Sequence, residues 1–134
     1  RIVAVKDCSY DLYAAGRLIA ETPLAYYSGC EELNLPLYAL GGAGWISTVA
    51  NVAPRQLREV LDAFDAGDTA RAARLHARTL PLAELMMASG LPGTVAVKAL
   101  LGGPVREPLQ PADRPAVDGL RAAYEALVQA ESVV

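Results

Sequence analysis

One histidine, His76, and two cysteines, Cys8 and Cys30, are all the imidazole and thiol groups that 134 residues offer. That is too few for a zinc-type ligand cluster or a disulfide scaffold, and reduced thiols in a cytoplasmic setting are the expectation. Basic residues are in deficit: 12 Lys and Arg stand against 15 Asp and Glu, a net charge of −3. No basic stripe can track a phosphate backbone, so nucleic acid is not an expected partner. No apolar run approaches the roughly 18 residues of a membrane span, and no membrane partner is expected. A basic region followed by an apolar segment is also lacking at the N-terminus, so no signal peptide is expected. Arg1 rather than Met comes first and an apolar run starts at once, which reads as the middle of a longer protein. Hydrophobic residues make up 53%, too many for a disordered chain and enough for one compact core.

That first apolar run, Ile2 to Val5, leads straight into Lys6 and Asp7. A continuous, β-branched run predicts a strand buried on both faces, as in a parallel sheet. Active sites of parallel α/β proteins lie at the C-terminal ends of their strands, where Lys6 falls. A lysine in a shielded pocket there loses solvation, its pKa drops, and its free amine can attack a carbonyl.

The pattern continues as strand and helix in alternation. Cys8 to Asp11 is a polar turn in which Ser9 or Asp11 can cap a helix over 12–20. Leu24 to Tyr27 predicts a second strand, ended by Ser28 and Gly29. Glu31 to Leu40 reads as helical, with Pro36 either kinking it or opening a shorter helix. Gly41 to Gly44 is a loop, and Trp45 to Val49 predicts a third strand. Because this glycine-rich loop enters a strand and not a helix, it is a tight turn and not a phosphate cradle. A helix runs from Pro54 to about Ala66, closed by Gly67, and Asp68 caps a helix over 69–88 that Pro81 is expected to kink. Thr94 to Leu101 is a further helix, Val105 to Leu109 is extended, and Asp113 caps a last helix to about Ala130. Short βα connections predict an α/β fold over residues 1–67, and an all-helical region covers 68–134. His76 is assigned to an exposed helix face, and Met86 and Met87 to gaps in helix packing.

Val5-Lys6-Asp7, Tyr27-Ser28-Gly29, Leu35-Pro36, the stretch from Gly41 to Ser47, Ala50-Asn51-Val52-Ala53-Pro54, Gly67-Asp68, Val97-Lys98 and Val105 to Leu109 follow one another at characteristic spacing. In this order they closely resemble the C-terminal half of the dihydrodipicolinate synthase/N-acetylneuraminate lyase family, over essentially the whole chain. The resemblance implies a partial TIM (β/α)8 barrel, strands six to eight with their helices over 1–67, then the C-terminal helical region. A barrel of this kind takes about 250 residues, so the likeness also implies a fragment.

What the resemblance implies about chemistry is specific. The family consists of Schiff-base lyases that use pyruvate and an aldehyde, need no cofactor or metal, and form homo-oligomers. Lys6 matches the lysine that condenses with pyruvate. Ile46 matches a residue whose main chain faces bound pyruvate, its side chain in the barrel core. Gly29 matches a strand-mouth glycine, where a missing Cβ lets substrate approach. The hydroxyl pair that holds the pyruvate carboxylate and the proton-relay tyrosine belong to earlier strands in the family. The expected reaction joins pyruvate to aspartate semialdehyde. A sugar-acid lyase of the same family and a non-catalytic half-barrel are the alternatives. The synthases commonly carry acidic residues after the Ser-Gly pair, whereas Cys30 and Glu31 stand here, which bears on the second substrate. Cys8 and Cys30, each just past a strand end, are candidates for a redox latch at the pocket rim, with two independent reduced thiols as the alternative.

Overall fold

A computed structural model describes residues 1–88 and 91–129. Three short parallel strands, β1 (Ala4–Asp7), β2 (Ala25–Ser28) and β3 (Gly44–Trp45), lie in the order β1-β2-β3. Helix α1 (Leu12–Glu21) connects β1 to β2, and α2 (Asn34–Ala39) connects β2 to β3. Lys6 pairs with Tyr27 and Asp7 with Ser28, while Tyr27 pairs with Gly44. Then follow α3 (Pro54–Asp65), α4 (Thr69–Ala88), α5 (Gly93–Leu101) and α6 (Arg114–Gln129). The expected end of the last helix at Ala130 lies outside the described residues.

Local sequence accounts for most boundaries. The Asp11 carboxylate accepts from the Ala14 N–H at 2.9 Å and starts α1; Asp68 does the same for Arg71 and Asp113 for Ala116. A side-chain oxygen so placed satisfies one of the N–H groups a helix start leaves unpaired. Pro54 opens α3, where its missing N–H is no loss. Pro36 sits in the first turn of the short α2, which opens at Asn34 directly after a 3-10 turn at Glu31–Leu33, so the helical stretch expected over 31–40 is divided in two ahead of the proline. Pro81 lies inside α4, which runs as one helix from Thr69 to Ala88. At the turn into β3, Gly44 has φ +138°, and a Cβ on Gly42 would meet the Leu37 carbonyl oxygen at 2.9 Å. Only glycine fits both demands.

The hydrophobic core sits among the helices. Val49, Val52, Ala53, Leu57, Leu82, Ala83, Met86, Ala96, Leu120 and Leu127 form one buried cluster, so residues on both sides of Gly67 share it. A smaller aromatic contact ties α2 to β3 and α3: Tyr38 meets Trp45 and Phe64 edge-on, at ring-centroid distances of 5.9 and 5.5 Å. Its hydroxyl donates to Asp65 at 2.8 Å.

Several sequence expectations need correction. β1 is not buried on both faces: it is an edge strand paired with β2 alone, and Ile2 and Val3 are 78% and 70% exposed. No described element lies beyond it to cover those side chains. The third strand stops at Trp45 instead of running to Val49, because Ser47 to Val49 bond to a buried carboxylate and not to a neighbouring strand. Val105 to Leu109 is not simply extended: the Leu109 N–H closes a turn on the Arg106 carbonyl at 3.1 Å. His76 is buried, packed where α4 crosses the 3-10 turn after β2. Of the methionines, Met86 fills a gap in the core, but Met87 points outward and is 55% exposed.

The two neighbouring methionines make a direct test of this packing. Met86→Ala is expected to lower unfolding free energy by about 2–5 kcal/mol, as for large-to-small core changes generally. Met87→Ala should stay within about 0.5 kcal/mol, as expected of a surface position. Urea unfolding of the two variants checks the contrast.

Candidate functional site

β1 and β2 deliver Lys6 and Gly29 to the same place. The Gly29 N–H donates to the Asp7 carbonyl at 2.8 Å, extending the ladder one residue past the strand pair. A Cβ at Gly29 would collide with the Cys8 sulfur and lie 2.5 Å from Lys6 Cε. The glycine therefore makes room for the lysine chain itself. β3 brings in Ile46, whose N–H donates to the Ser28 carbonyl at 2.8 Å. Lys6 and Ile46 then line one cleft of about 210 Å³, together with Ser47, Thr48, Asn51, Thr94, Val97 and Lys98. The Lys98 ammonium is held at the Pro104 carbonyl, 2.6 Å away.

The three residues singled out from sequence thus come together: two line the cleft, and Gly29 packs against the lysine. Two details differ from expectation. Lys6 is exposed, so the shielding that the sequence argument called for is not provided by the described residues. The Ile46 side chain is 50% exposed in the cleft and not part of the core, because the chain turns away from the sheet directly after it.

The wall of the cleft is fixed from behind by Glu31, which is only 6% exposed. Its Oε1 accepts from the Thr48 N–H at 2.6 Å and the Val49 N–H at 3.0 Å. The Ser47 hydroxyl lies 2.8 and 2.7 Å from its two oxygens, and the Asn34 amide donates to Oε2 at 2.9 Å. The Ser47 hydroxyl in turn accepts from the Ala50 N–H at 2.9 Å. Charge-assisted bonds of this number offset much of the cost of burying a carboxylate.

The model of the dihydrodipicolinate synthetase family matches residues 1–129. The chain belongs to that family. A 4-hydroxy-tetrahydrodipicolinate synthase of Streptomyces coelicolor is 62% identical over 130 residues, covering 92% of this chain and 43% of the relative. Among solved structures, a dihydrodipicolinate synthase from Bacillus anthracis superposes with a TM-score of 0.85 at 30% identity, covering 92% of this chain and 44% of that one. The enzyme from Cyanidioschyzon merolae, solved with lysine bound, gives a TM-score of 0.85 at 33% identity and covers 95% of this chain and 45% of its own. The chain therefore spans less than half the length of these relatives.

Within this family member, both cysteines are free thiols, Cys8 exposed and Cys30 buried, so no latch is closed. Burial pushes the Cys30 thiol above its ordinary pKa. Tyr10, in a left-handed conformation at φ +61°, has its pKa raised by the neighbouring Cys30 and Glu32 side chains. Sequence reasoning missed Ser47, Thr48, Asn51 and Lys98 in the cleft, and it read Glu31 only as bearing on the second substrate and not as the group that holds the wall from behind. Glu31 carried a signal: an acidic residue two places after a strand-mouth glycine, in a stretch assigned to a helix.

His76 shows how closely this end of the molecule is packed. Its Nε2 faces the Glu32 carbonyl at 3.2 Å, so that nitrogen must carry the proton. Nδ1 is buried without a partner among the described residues. A second proton would need to sit on that nitrogen, and burial lowers the His76 pKa below 6.5. Since the unfolded chain then binds more protons, this contribution to stability is fully present above pH 6.5 and declines as pH falls below it. The His76 ring signals should titrate with a midpoint below 6.5 by NMR, and His76→Gln should flatten the loss of stability between pH 7 and 5.

Gly29→Ala tests the packing on Lys6. The added methyl must displace the lysine chain or the Cys8 sulfur, and non-bonded contacts this short cannot persist. Faster alkylation of Cys8 in the variant is the expected outcome, and an unchanged rate would show that the methyl does not displace the Cys8 sulfur.

Proposed function

We propose that this chain carries the nucleophile of a 4-hydroxy-tetrahydrodipicolinate synthase and that Lys6 forms the imine with pyruvate. The observation that carries the reading is the meeting of Lys6 and Ile46 in one cleft at the C-terminal ends of parallel strands. The neutral amine attacks the keto carbon, and loss of water leaves an imine. The imine withdraws electrons, so the pyruvate methyl group can lose a proton. The resulting enamine carbon adds to the aldehyde of aspartate semialdehyde. Free lysine has a pKa near 10.4, so this chemistry needs an environment that disfavours the ammonium.

In this reading residues 1–67 are strands six to eight of a TIM barrel with their helices, and 68–134 form the helical region packed on it. Lys6 is the catalytic residue. The Ile46 main chain lies against pyruvate, and Gly29 gives clearance to the lysine and the substrate. The carboxylate-holding hydroxyls would come from the five earlier strands, which also cover the exposed face of β1. The complete protein would act as a cytoplasmic homo-oligomer without a cofactor. Among the described residues, no helix is long and apolar enough to cross a membrane.

Treatment with pyruvate and borohydride, followed by peptide mapping, tests the reading. A reduced pyruvyl adduct on Lys6 is expected, and Lys6→Arg should abolish it, because a guanidinium does not supply a neutral amine. A folded chain left unlabelled at Lys6 would count against the assignment. Turnover of the 134-residue chain alone is expected to fall at least about a hundredfold below that of a complete barrel, since substrate positioning supplies a large share of rate. Comparable turnover would refute that part.

A further inference from the structure

We infer that Glu31 is a positioning residue for the Lys6 cleft, acting through the segment that follows Ile46. The inference rests on the Schiff-base reading above. Glu31 does not itself line the cleft. Its carboxylate reaches sixteen to eighteen residues along the chain, to Ser47, Thr48 and Val49, three consecutive residues. Two of these, Ser47 and Thr48, line the same cleft as the lysine. On the other side of the Ile46–Ser47 peptide, the Ile46 N–H is fixed to the Ser28 carbonyl. The peptide is therefore pinned at both ends, once from β2 and once from the turn directly after β2.

The arrangement also assigns Glu31 a different task from receiving substrate. Both of its oxygens are occupied by internal donors, and Asn34 fixes the carboxylate from its own helix. A carboxylate engaged on both oxygens holds its neighbours in place, and one at 6% exposure is not open to a second substrate. The segment it holds has too few neighbours to be set by strand pairing, because β3 is only two residues long. Without Glu31, the Thr48 and Val49 N–H groups lose their acceptor, and the turn that carries Ile46 past Lys6 loses its anchor.

The test uses Glu31→Ala and Glu31→Gln in the 134-residue chain, with two measurements: amide exchange at Thr48 and Val49, and the pyruvate concentration that half-saturates borohydride labelling of Lys6. In Glu31→Ala, exchange at both amides should rise about a hundredfold, as a protected turn opens locally. The half-saturating pyruvate concentration should rise about tenfold, as the loss of charge-assisted anchoring loosens the wall. Glu31→Gln keeps one acceptor oxygen and should recover part of both effects. A purely structural role would reduce the fraction folded but leave the half-saturating concentration of the folded molecules unchanged, and that result would overturn the proposal. Unchanged exchange at Thr48 and Val49 would overturn it as well. If Glu31→Ala does not fold, Glu31→Gln decides alone: a half-saturating concentration equal to that of the unsubstituted chain refutes the role. Failure of the unsubstituted chain to label would instead remove the Schiff-base reading and this inference with it, while amide exchange would still report whether the Glu31 clamp exists.

Discussion

A single buried carboxylate joins the end of one strand to the end of the next. Glu31 leaves β2 through a 3-10 turn and gathers the donors of Ser47, Thr48 and Val49 after β3. Burying an ionised carboxylate without partners is far costlier than any one hydrogen bond returns. Here the partners are present, and their removal would leave unpaired groups on both sides. The cost of breaking such a cluster exceeds the net benefit of making it, so the two strand ends are held in a fixed relation. Sheet pairing cannot do this, because β3 contributes just Gly44 and Trp45 to the ladder.

Around that anchor the sheet is open at both edges among the described residues, since β1 and β3 each pair with β2 alone. β1 pairs only with β2 and leaves Ile2 and Val3 in solvent. Yet it places Lys6 over Gly29, which has no side chain of its own to compete for the space that Lys6 and Cys8 share. The lysine's position is thus determined by backbone register and by an absent Cβ, not by burial. Position and solvation are separable requirements for a Schiff-base lysine. The described strands fix where Lys6 lies and leave it exposed; on the proposed reading the second requirement falls to cover over the face that β1 leaves bare.

The helices were readable in the sequence because their ends are decided locally. Asp11, Asp68 and Asp113 cap, Pro54 opens and Gly67 stops, and each acts within three or four residues of itself. Lys6 stands out in the sequence by its place at a strand end, and Ile46 and Gly29 only through the likeness to a family; the structure brings the three together. What local reasoning missed depends on partners far along the chain. The end of β3 is set by Glu31, some sixteen residues earlier, and hydrophobic pattern alone extends Trp45-Ile46-Ser47-Thr48-Val49 as a strand. His76 looks like an exposed residue of a polar helix until the turn at Glu32 covers it from 44 residues away. Pattern also cannot tell Met86 from Met87, since which of the two faces inward is set by the phase of α4 against α3 and α6.

The turn at Val49–Asn51 shows why stability and the site are coupled in this fold. Val49 is almost fully buried in the helical core, beside Val52, Ala53 and Leu57. Thr48 and Asn51, its neighbours in the same turn, face the cleft. One face of a single short turn is thus fixed by packing against α3 and α4, and the other face lines the cleft that holds Lys6. A close-packed interior transmits displacements because it has little free volume to absorb them. Cavity-forming changes near Val49 would therefore reach the cleft even though they touch no residue in it, whereas changes at the distant end of α6 would alter stability and leave the cleft alone. The helical region thereby bears on the cleft: it supplies the rigid backing for a loop that two residues of sheet cannot hold by themselves.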